Sequence, residues 1–393
     1  MRRASYNGPV MYFETFDADL FLRDYWQKKP LLIRNPWAHW VNPVEPDELA
    51  GLACEEGVES RLIRRPDAQW MVEHGPLPEE RFGRMDGNPW TLLVQAVDTH
   101  VPDVATLIAP FRFIPNWRID DVMVSYATDG GGVGAHYDQY DVFLIQGLGR
   151  RRWQVGGRCD ADTPLLLHDD LRLLADFQPQ AEWILEPGDI LYVPPGVAHD
   201  GVAVGDDCMT YSVGFRAPSR SELVEQFCAH VVTGMEDDDR YADPDLTRQA
   251  NPGEIGAAAI ARLQAMVVDA LNDRAAFARW FGEYNSERKY PEMDFRPEEP
   301  IAADHVRALV EDGVALCRNP ASRFAFVRQG EGGVTLFVDG QAYDCSAEDA
   351  TLAEQICAAD EVLIDAGLAK SDAAIMLVVT LYNEGSVSFL VED

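Results

Sequence analysis

A chain of 393 residues, 47% hydrophobic with nine Trp, is long enough for two or three compact units, each with its own core. No run approaches the roughly 18 apolar residues of a membrane helix, and Met1-Arg2-Arg3-Ala4-Ser5-Tyr6 lacks the apolar centre of a signal peptide, so a cytoplasmic protein with no membrane attachment is expected. Sixty-six acids against 33 bases leave a net charge of −33, which reads either as a solubility device or adaptation to a salty cytoplasm, or as a surface that repels free nucleic acid and attracts basic proteins; it argues against a direct DNA or RNA binder.

Residues 13–35 predict a helix and then a strand. Phe16, Leu20 and Tyr25-Trp26 recur at helical spacing, and Lys28-Lys29-Pro30 ends the run before Leu31-Leu32-Ile33. A second helix is expected over 46–56, with Pro46 at its first position and Asp47 and Glu48 in its first turn, where acids suit the helix dipole. Residues 60–64 and 69–73 read as short strands, and 90–98 as a helix on the spacing of Trp90, Leu93, Val94 and Val97. The stretch 98–120, rich in Pro, Phe and Trp, is expected to be irregular and to cap a pocket mouth.

Strands are predicted from there to about residue 217. Residues 121–126 alternate, so Asp121, Met123 and Ser125 share a face. Beyond a glycine-rich turn at 130–134, His136, Asp138 and Tyr140 share a face of the next strand. Gly147-Leu148-Gly149 reads as a turn into a strand over 150–155, and 165–180 as a partly helical insertion; 183–185, 190–193 and 208–215 complete the set. Short strands with turn residues between them imply a sandwich or barrel.

Past Pro218 the period becomes helical. Ser219 and Glu222 form a capping box before Leu223, Phe227 and Val231, and Gly234 ends that helix. A solvated loop runs to Pro252; Ile260, Leu263, Val267 and Leu271 mark a second helix and 277–284 a third, suited either to a dimer interface or to core packing. From about Pro291, a helix (Val306, Leu309, Val310), strands at 324–328 and 334–338, helices from Ala347 and a last strand over 387–391 suit a winged helix. Residues 291–393 carry 20 Asp/Glu against 6 Lys/Arg, a net of −14, which disfavours docking on phosphates and favours a structural or protein-contact role. The expected division is therefore 1–217, 218–290 and 291–393, an α+β chain.

The chemistry concentrates between Gly130 and Trp153. His136 and Asp138, two apart at the head of an apolar run, direct an imidazole and a carboxylate into one space, and His199, shortly after Pro187-Gly188-Asp189, supplies a third ligand. Two histidines and one carboxylate on one face of a metal suit non-haem Fe(II) oxygenases. Taken singly, each has a blander reading, a hydrogen-bonded pair at a strand start or a turn histidine. The seven cysteines are scattered, odd in number and without a CxxC pair, so neither a zinc cluster nor a disulfide framework is supported.

Arg150-Arg151-Arg152 reads as a surface patch, yet alternation into Trp153 and Val155 turns Arg151 inward. A buried guanidinium needs an anion, and its planar fork fits a carboxylate such as the distal one of 2-oxoglutarate. Ser125 adds a hydroxyl donor. Asp121, Met123, Tyr140 and Ser212 form a further group able to hold a long cationic side chain, or are simply core residues and a strand-end acid.

With these residues in place, the chain resembles the JmjC-type ribosomal oxygenases, in particular the bacterial members that hydroxylate an arginine of ribosomal protein L-16. The likeness runs over nearly the whole length, through Tyr25-Trp26-Gln27-Lys28-Lys29-Pro30, Trp117-Arg118-Ile119-Asp120-Asp121, Gly131-Gly132-Val133-Gly134, His136 onward, Arg150 to Trp153 and Tyr211-Ser212-Val213-Gly214-Phe215-Arg216. The resemblance implies a double-stranded β-helix (cupin/JmjC) catalytic domain, a helical dimerisation region that makes a homodimer, and a C-terminal winged-helix domain. It implies Fe(II) on His136, Asp138 and His199, 2-oxoglutarate on Arg151, O2 as oxidant, and substrate contacts from Asp121, Met123, Tyr140 and Ser212. Hydroxylation at C3 of the arginine likewise follows from the resemblance alone. Three other readings compete: the same chemistry on histidine or another residue of a different ribosomal protein, a non-catalytic cupin-type binding protein, and a winged-helix regulator with a degenerate barrel.

Overall fold

The computed structural model describes residues 11–390 apart from 86, 88 and 237; the reading of Met1 to Tyr6 and the end of the last strand at Val391 lie outside the described residues. Two helices and a strand lead in. They are α1 (Ala18–Asp24), capped by the Asp17 side chain, then β1 (Leu31–Ile33) and α2 (Pro46–Leu52), with Pro46 in its first turn. Eight further strands follow: β2 (Ser60–Arg64), β3 (Met71–His74), β4 (Trp90–Val94), β5 (Ile119–Ala127), β6 (Val142–Arg158), β7 (Ala181–Leu185), β8 (Ile190–Val193) and β9 (Val197–Phe215). They pair in the order β1-β8-β6-β9-β5-β4-β2-β3, with β7 added to the far half of β6. All pairings are antiparallel, and the long β6 and β9 run side by side as the spine of a double-stranded β-helix.

One face of this barrel closes over an aromatic core in which Phe21, Phe111, Phe143, Tyr192 and Phe215 are fully buried. Each such ring contributes about 1.5–3 kcal/mol by leaving water. Val122 and Val124 of β5 join that core, so Asp121, Met123 and Ser125 face the other way, into the barrel mouth.

Several local expectations are corrected here. Residues 90–94 are a strand, not a helix. Leu92 and Val94 enter the aromatic core and Leu93 the opposite cluster, and a strand buried on both faces loses its two-residue period. The stretch 98–120 is not irregular: the short helix α3 (Pro102–Ala105) and 3₁₀ turns hold Val104, Leu107, Phe111 and Ile114 in the core, while Pro102, Ile108 and Trp117 line a cavity. Gly147-Leu148-Gly149 is no turn but a pair of bulges within the continuous β6. Residues 165–180 hold no helix; Leu171 and Leu173 extend to pack on Ile63 and Leu93, and the His168 ring accepts the N–H groups of Asp170 and Leu171. His136 to Tyr140 form no regular strand either, only a single bridge from His136 to His199.

Beyond the barrel come α4 (Arg220–Thr233), with the Ser219–Glu222 capping box in place, α5 (Ala257–Leu271) and α6 (Arg274–Ser286). The last unit holds α7 (Ala303–Asp312), β10 (Val314–Arg318), β11 (Phe324–Arg328), β12 (Val334–Val338), β13 (Gln341–Cys345), α8 (Ala350–Ala358), β14 (Glu361–Ile364), α9 (Asp372–Asn383) and β15 (Val387–Leu390). Two three-stranded sheets, β14-β10-β15 and β11-β12-β13, make a winged helix around its own core. Strands β10, β13 and β14 were not evident in the sequence. Helix α6 lies against the second sheet so closely that a Cβ on Gly282 would stand 2.3 Å from the Phe337 ring. No described helix is long and apolar enough to cross a membrane, and Cys54, Cys159, Cys208, Cys228, Cys345 and Cys357 form no disulfide.

Candidate active site

A bridge between two loop-to-strand entries fixes the centre of the site. The His136 N–H donates to the His199 carbonyl oxygen (3.0 Å) and the His199 N–H to that of His136 (2.8 Å). The reciprocal pair sets the two rings 4.3 Å apart. Gly134, at φ +87° and with a Cβ position 2.7 Å from the Trp70 ring, is the residue that lets the chain turn into His136. On the far side the Gly196 N–H donates to the Asp138 carbonyl oxygen at 2.7 Å, tying the acid to the entry of β9.

The Asp138 Oδ2 atom stands 3.6 Å from Nε2 of His199 and 3.9 Å from Nε2 of His136. One ligand atom from each residue lies within 4.8 Å of the others, close enough for a single ion with bonds of about 2 Å. The tautomers suit the same purpose. Nδ1 of His136 bonds the Gly134 carbonyl at 2.9 Å and Nδ1 of His199 the Val197 carbonyl at 3.0 Å, so each Nε2 keeps a free lone pair. Burial, and His136 beside it, pushes the His199 imidazole down to about 4, which keeps it neutral at physiological pH. The donor set therefore fits a divalent non-haem iron.

Arg151 turns inward as the alternation requires. It is 3% exposed, its guanidinium lies 5.8 Å from the Trp153 ring, and its Nε and Nη2 have no hydrogen-bond partner among the described residues. Trp153 reaches this position because its cross-strand neighbour is Gly201, where a Cβ would stand 2.6 Å from the indole. A buried cation with two idle N–H groups in a barrel mouth is chemically suited to receive a carboxylate. Ser125 is buried nearby and its Oγ donates to the Thr210 carbonyl oxygen at 3.4 Å.

These groups share a cavity of about 620 Å³ with Met123, Tyr140, Ser212 and Asp121. Met123 lies directly across from Ser212 on β9. Tyr140 stands exposed at the rim, and Met123 packs beside Leu171 and Leu173. The structure thus brings all nine sequence-predicted site residues to one cavity. It adds two that the sequence reading missed, Gln95 and Lys289, both bonded to Asp121, at 2.7 and 2.8 Å. Lys289 comes from 168 residues away, and its one visible signal is rarity, since the chain has only four lysines.

Asp98 sits behind Asp121, fully buried, with its carboxylate accepting the Val122 N–H at 2.8 Å. Burial and the negative charge of Asp121 push its pKa up to about 7. A carboxyl raised in the folded state keeps a proton that the unfolded chain releases above about pH 4. Stability at this group is therefore full below about pH 4, falls as pH rises to about 7, and levels off above it. Asp98→Asn, which keeps the acceptor, should flatten that decline, with a gain over the parent that is larger at pH 8 than at pH 5 by roughly 3 kcal/mol. Denaturant titrations at the two pH values check this.

An antiparallel cupin barrel with two imidazoles and a carboxylate at its mouth defines a JmjC-type domain, here followed by a winged helix. The comparisons agree: a JmjC domain matches residues 106–223 and a ROXA-like winged helix residues 269–388. Ribosomal protein uL16 3-hydroxylase of Escherichia coli is 42% identical over 299 residues, covering 76% of this chain and 79% of that protein. A probable ribosomal oxygenase of Haemophilus influenzae is 35% identical over 84% of this chain and 83% of its own length. Among solved structures, E. coli YcfD superposes with a TM-score of 0.88 at 35% identity, over 96% of this chain and 100% of that one. YcfD in complex with cobalt and 2-oxoglutarate superposes at 0.84 and 35%, over 96% and 99%. The chain belongs to the JmjC-type ribosomal oxygenases.

Proposed function

We propose that the chain is an Fe(II)- and 2-oxoglutarate-dependent protein hydroxylase that acts on C3 of an arginine side chain in large-subunit ribosomal protein L-16. The observation that carries this reading is the partnerless Arg151 guanidinium in one cavity with the His136, Asp138 and His199 donors. The E. coli relative named for uL16 3-hydroxylation, and a structural relative solved with cobalt and 2-oxoglutarate, support it. Iron held there supplies the oxidative chemistry in which O2 and 2-oxoglutarate become succinate, CO2 and one inserted hydroxyl oxygen.

The protein's part is geometry. Nε2 of His136, Nε2 of His199 and the Asp138 carboxylate hold the ion, with both tautomers set by backbone carbonyls. Arg151 meets the distal carboxylate of the co-substrate through N–H groups that lack any other partner, with Ser125 adjacent. The aliphatic stem of the target lies along Met123 and Tyr140 with Ser212 beneath, and its guanidinium meets Asp121. Binding at fixed orientation within a walled cavity aligns one C–H bond and excludes water.

In this reading residues 1–217 are the catalytic unit, 218–290 the helical dimerisation region and 291–393 the winged helix. Helix α5 has no buried residue, and Ile260, Leu263, Met266, Val267 and Val268 are exposed along it, an apolar surface that the same helix of a second copy covers in a two-fold homodimer. The net charge of −33 draws a basic ribosomal protein in the cytoplasm, and the acidic C-terminal unit avoids nucleic acid.

Mass spectrometry of ribosomal proteins from cells with and without the enzyme tests the assignment. A 16 Da difference on an L-16 arginine is expected, whereas its appearance on a histidine of another protein would transfer the activity. Asp121→Ala should leave iron and 2-oxoglutarate binding within about twofold of the parent. It should raise KM for an arginine peptide at least about tenfold, because a buried guanidinium then loses its counter-charge. Neutral and basic peptides hydroxylated equally well by the parent would sink the cationic pocket.

A further inference from the structure

Asp121 is 4% exposed and its two oxygens live in different surroundings. Oδ2 accepts from Lys289 Nζ at 2.8 Å and from Gln95 Nε2 at 2.7 Å. Oδ1 has no hydrogen-bond partner among the described residues and faces β9 at Gly214, where an added Cβ would stand 3.8 Å away. Gly214 lines the catalytic cavity together with Ser212 and Met123. One oxygen is therefore anchored and the other is left open towards the space assigned to the substrate.

The anchoring group arrives from outside the barrel. Lys289 follows α6 by three residues, and its ammonium also binds Asp120 at 3.1 Å, whose second oxygen takes Arg323 of the winged-helix unit at 2.8 Å. The charged and titratable groups around Asp121 are Asp98, Asp120, Lys289, Tyr140 and Tyr290, with Arg216 lining the same cavity. Burial and the charge of Asp120 raise the affinity of Asp121 for a proton while Lys289 and Gln95 oppose them, so without the cation Asp121 would take up a proton and lose its attraction for a guanidinium. Burial lowers the affinity of Lys289 for its own proton, but Asp121 and Asp120 outweigh this and hold the ammonium charged.

We propose that Lys289 is a positioning residue for cation recognition: by clamping Oδ2 of Asp121 it keeps that carboxylate charged, with Oδ1 aimed at the guanidinium of the substrate. The proposal rests on the arginine-hydroxylase reading. It makes the junction between barrel and winged helix a determinant of substrate affinity, since the helix after which Lys289 emerges packs on the winged-helix sheet.

The test compares the full-length parent with Lys289→Met, Lys289→Gln and Lys289→Arg, using an arginine-bearing peptide and its citrulline counterpart, in turnover and in direct binding. Lys289→Met and Lys289→Gln should each raise the peptide KM and Kd at least about tenfold at pH 7, with kcat and the 2-oxoglutarate KM changed less than about twofold. The preference for arginine over citrulline should shrink, and affinity should return towards the parent as the pH is raised and Asp121 ionises. Lys289→Arg should restore binding to within about threefold. Equal or tighter peptide binding by both neutral variants at pH 7 would overturn the proposal, making Lys289 a competitor for the carboxylate. If one neutral variant does not fold, the other decides. A parent that binds the arginine peptide but hydroxylates elsewhere removes the activity reading and leaves the Lys289 comparison to binding; a parent that does not bind it overturns both.

Discussion

Asp138→Ala and His136→Ala are each expected to abolish 2-oxoglutarate turnover, by at least about a thousandfold, while leaving the fold intact. Changes one shell out from a metal already cost about 10–100-fold in affinity or activity, and removal of one of three protein ligands exceeds that. The fold should survive because the contacts that build this corner are made by main chain. The His136–His199 bridge and the bond from the Gly196 N–H to the Asp138 carbonyl oxygen are all backbone. The Asp138 carboxylate itself faces the two imidazoles and the cavity. Circular dichroism should show thermal midpoints within a few degrees of the parent when both are metal-free, elemental analysis should show iron content near zero, and succinate release should be undetectable. Persistent succinate formation by Asp138→Ala would remove the carboxylate from the ligand set.

The metal corner was legible because its information is local. His136 and Asp138 are two residues apart, and the glycines before them and the Pro-Gly-Asp turn before His199 mark sharp entries that only certain residues make. Arg151 was legible for a similar reason, as alternation with Trp153 survives along β6. The strand expected to carry His136 to Tyr140 does not exist, yet the i and i+2 side chains still converge, because the bridge to His199 imposes the direction that a longer ladder would have given. Elsewhere a local period misled. Residues 90–94 present apolar side chains to both faces, and that pattern does not distinguish a doubly buried strand from a helix. What no local pattern carries is a pairing at long range: Gln95, Asp121 and Lys289 meet only once the barrel and α6 are assembled.

Arg151→Met should split stability from function. In the parent, a guanidinium that is 3% exposed has two N–H groups without partners among the described residues, and Asp200, whose carboxyl feels the Arg151 charge, makes no ion pair with it and has an unpartnered oxygen of its own. Burying an uncompensated charge is unfavourable by several kcal/mol, and an apolar side chain of similar length is neutral to stabilising there. Without co-substrate, the variant is therefore expected to be more stable by about 1–3 kcal/mol, seen as a midpoint raised by several degrees. With co-substrate the order reverses. The parent gains about 2.7 kcal/mol when 2-oxoglutarate is present at a hundred times its Kd, and the variant should gain almost nothing. Its KM for 2-oxoglutarate should rise at least about a hundredfold, the loss expected when a buried charge-assisted pair is reduced to one partner. Iron content should be unchanged, since none of the three ligands touches the guanidinium through a hydrogen bond or ion pair. Melting curves of both proteins, with and without 2-oxoglutarate, read both signs in one experiment. A variant destabilised in the absence of co-substrate would mean that Arg151 is part of the scaffold, and an unchanged co-substrate KM would remove it from the binding site.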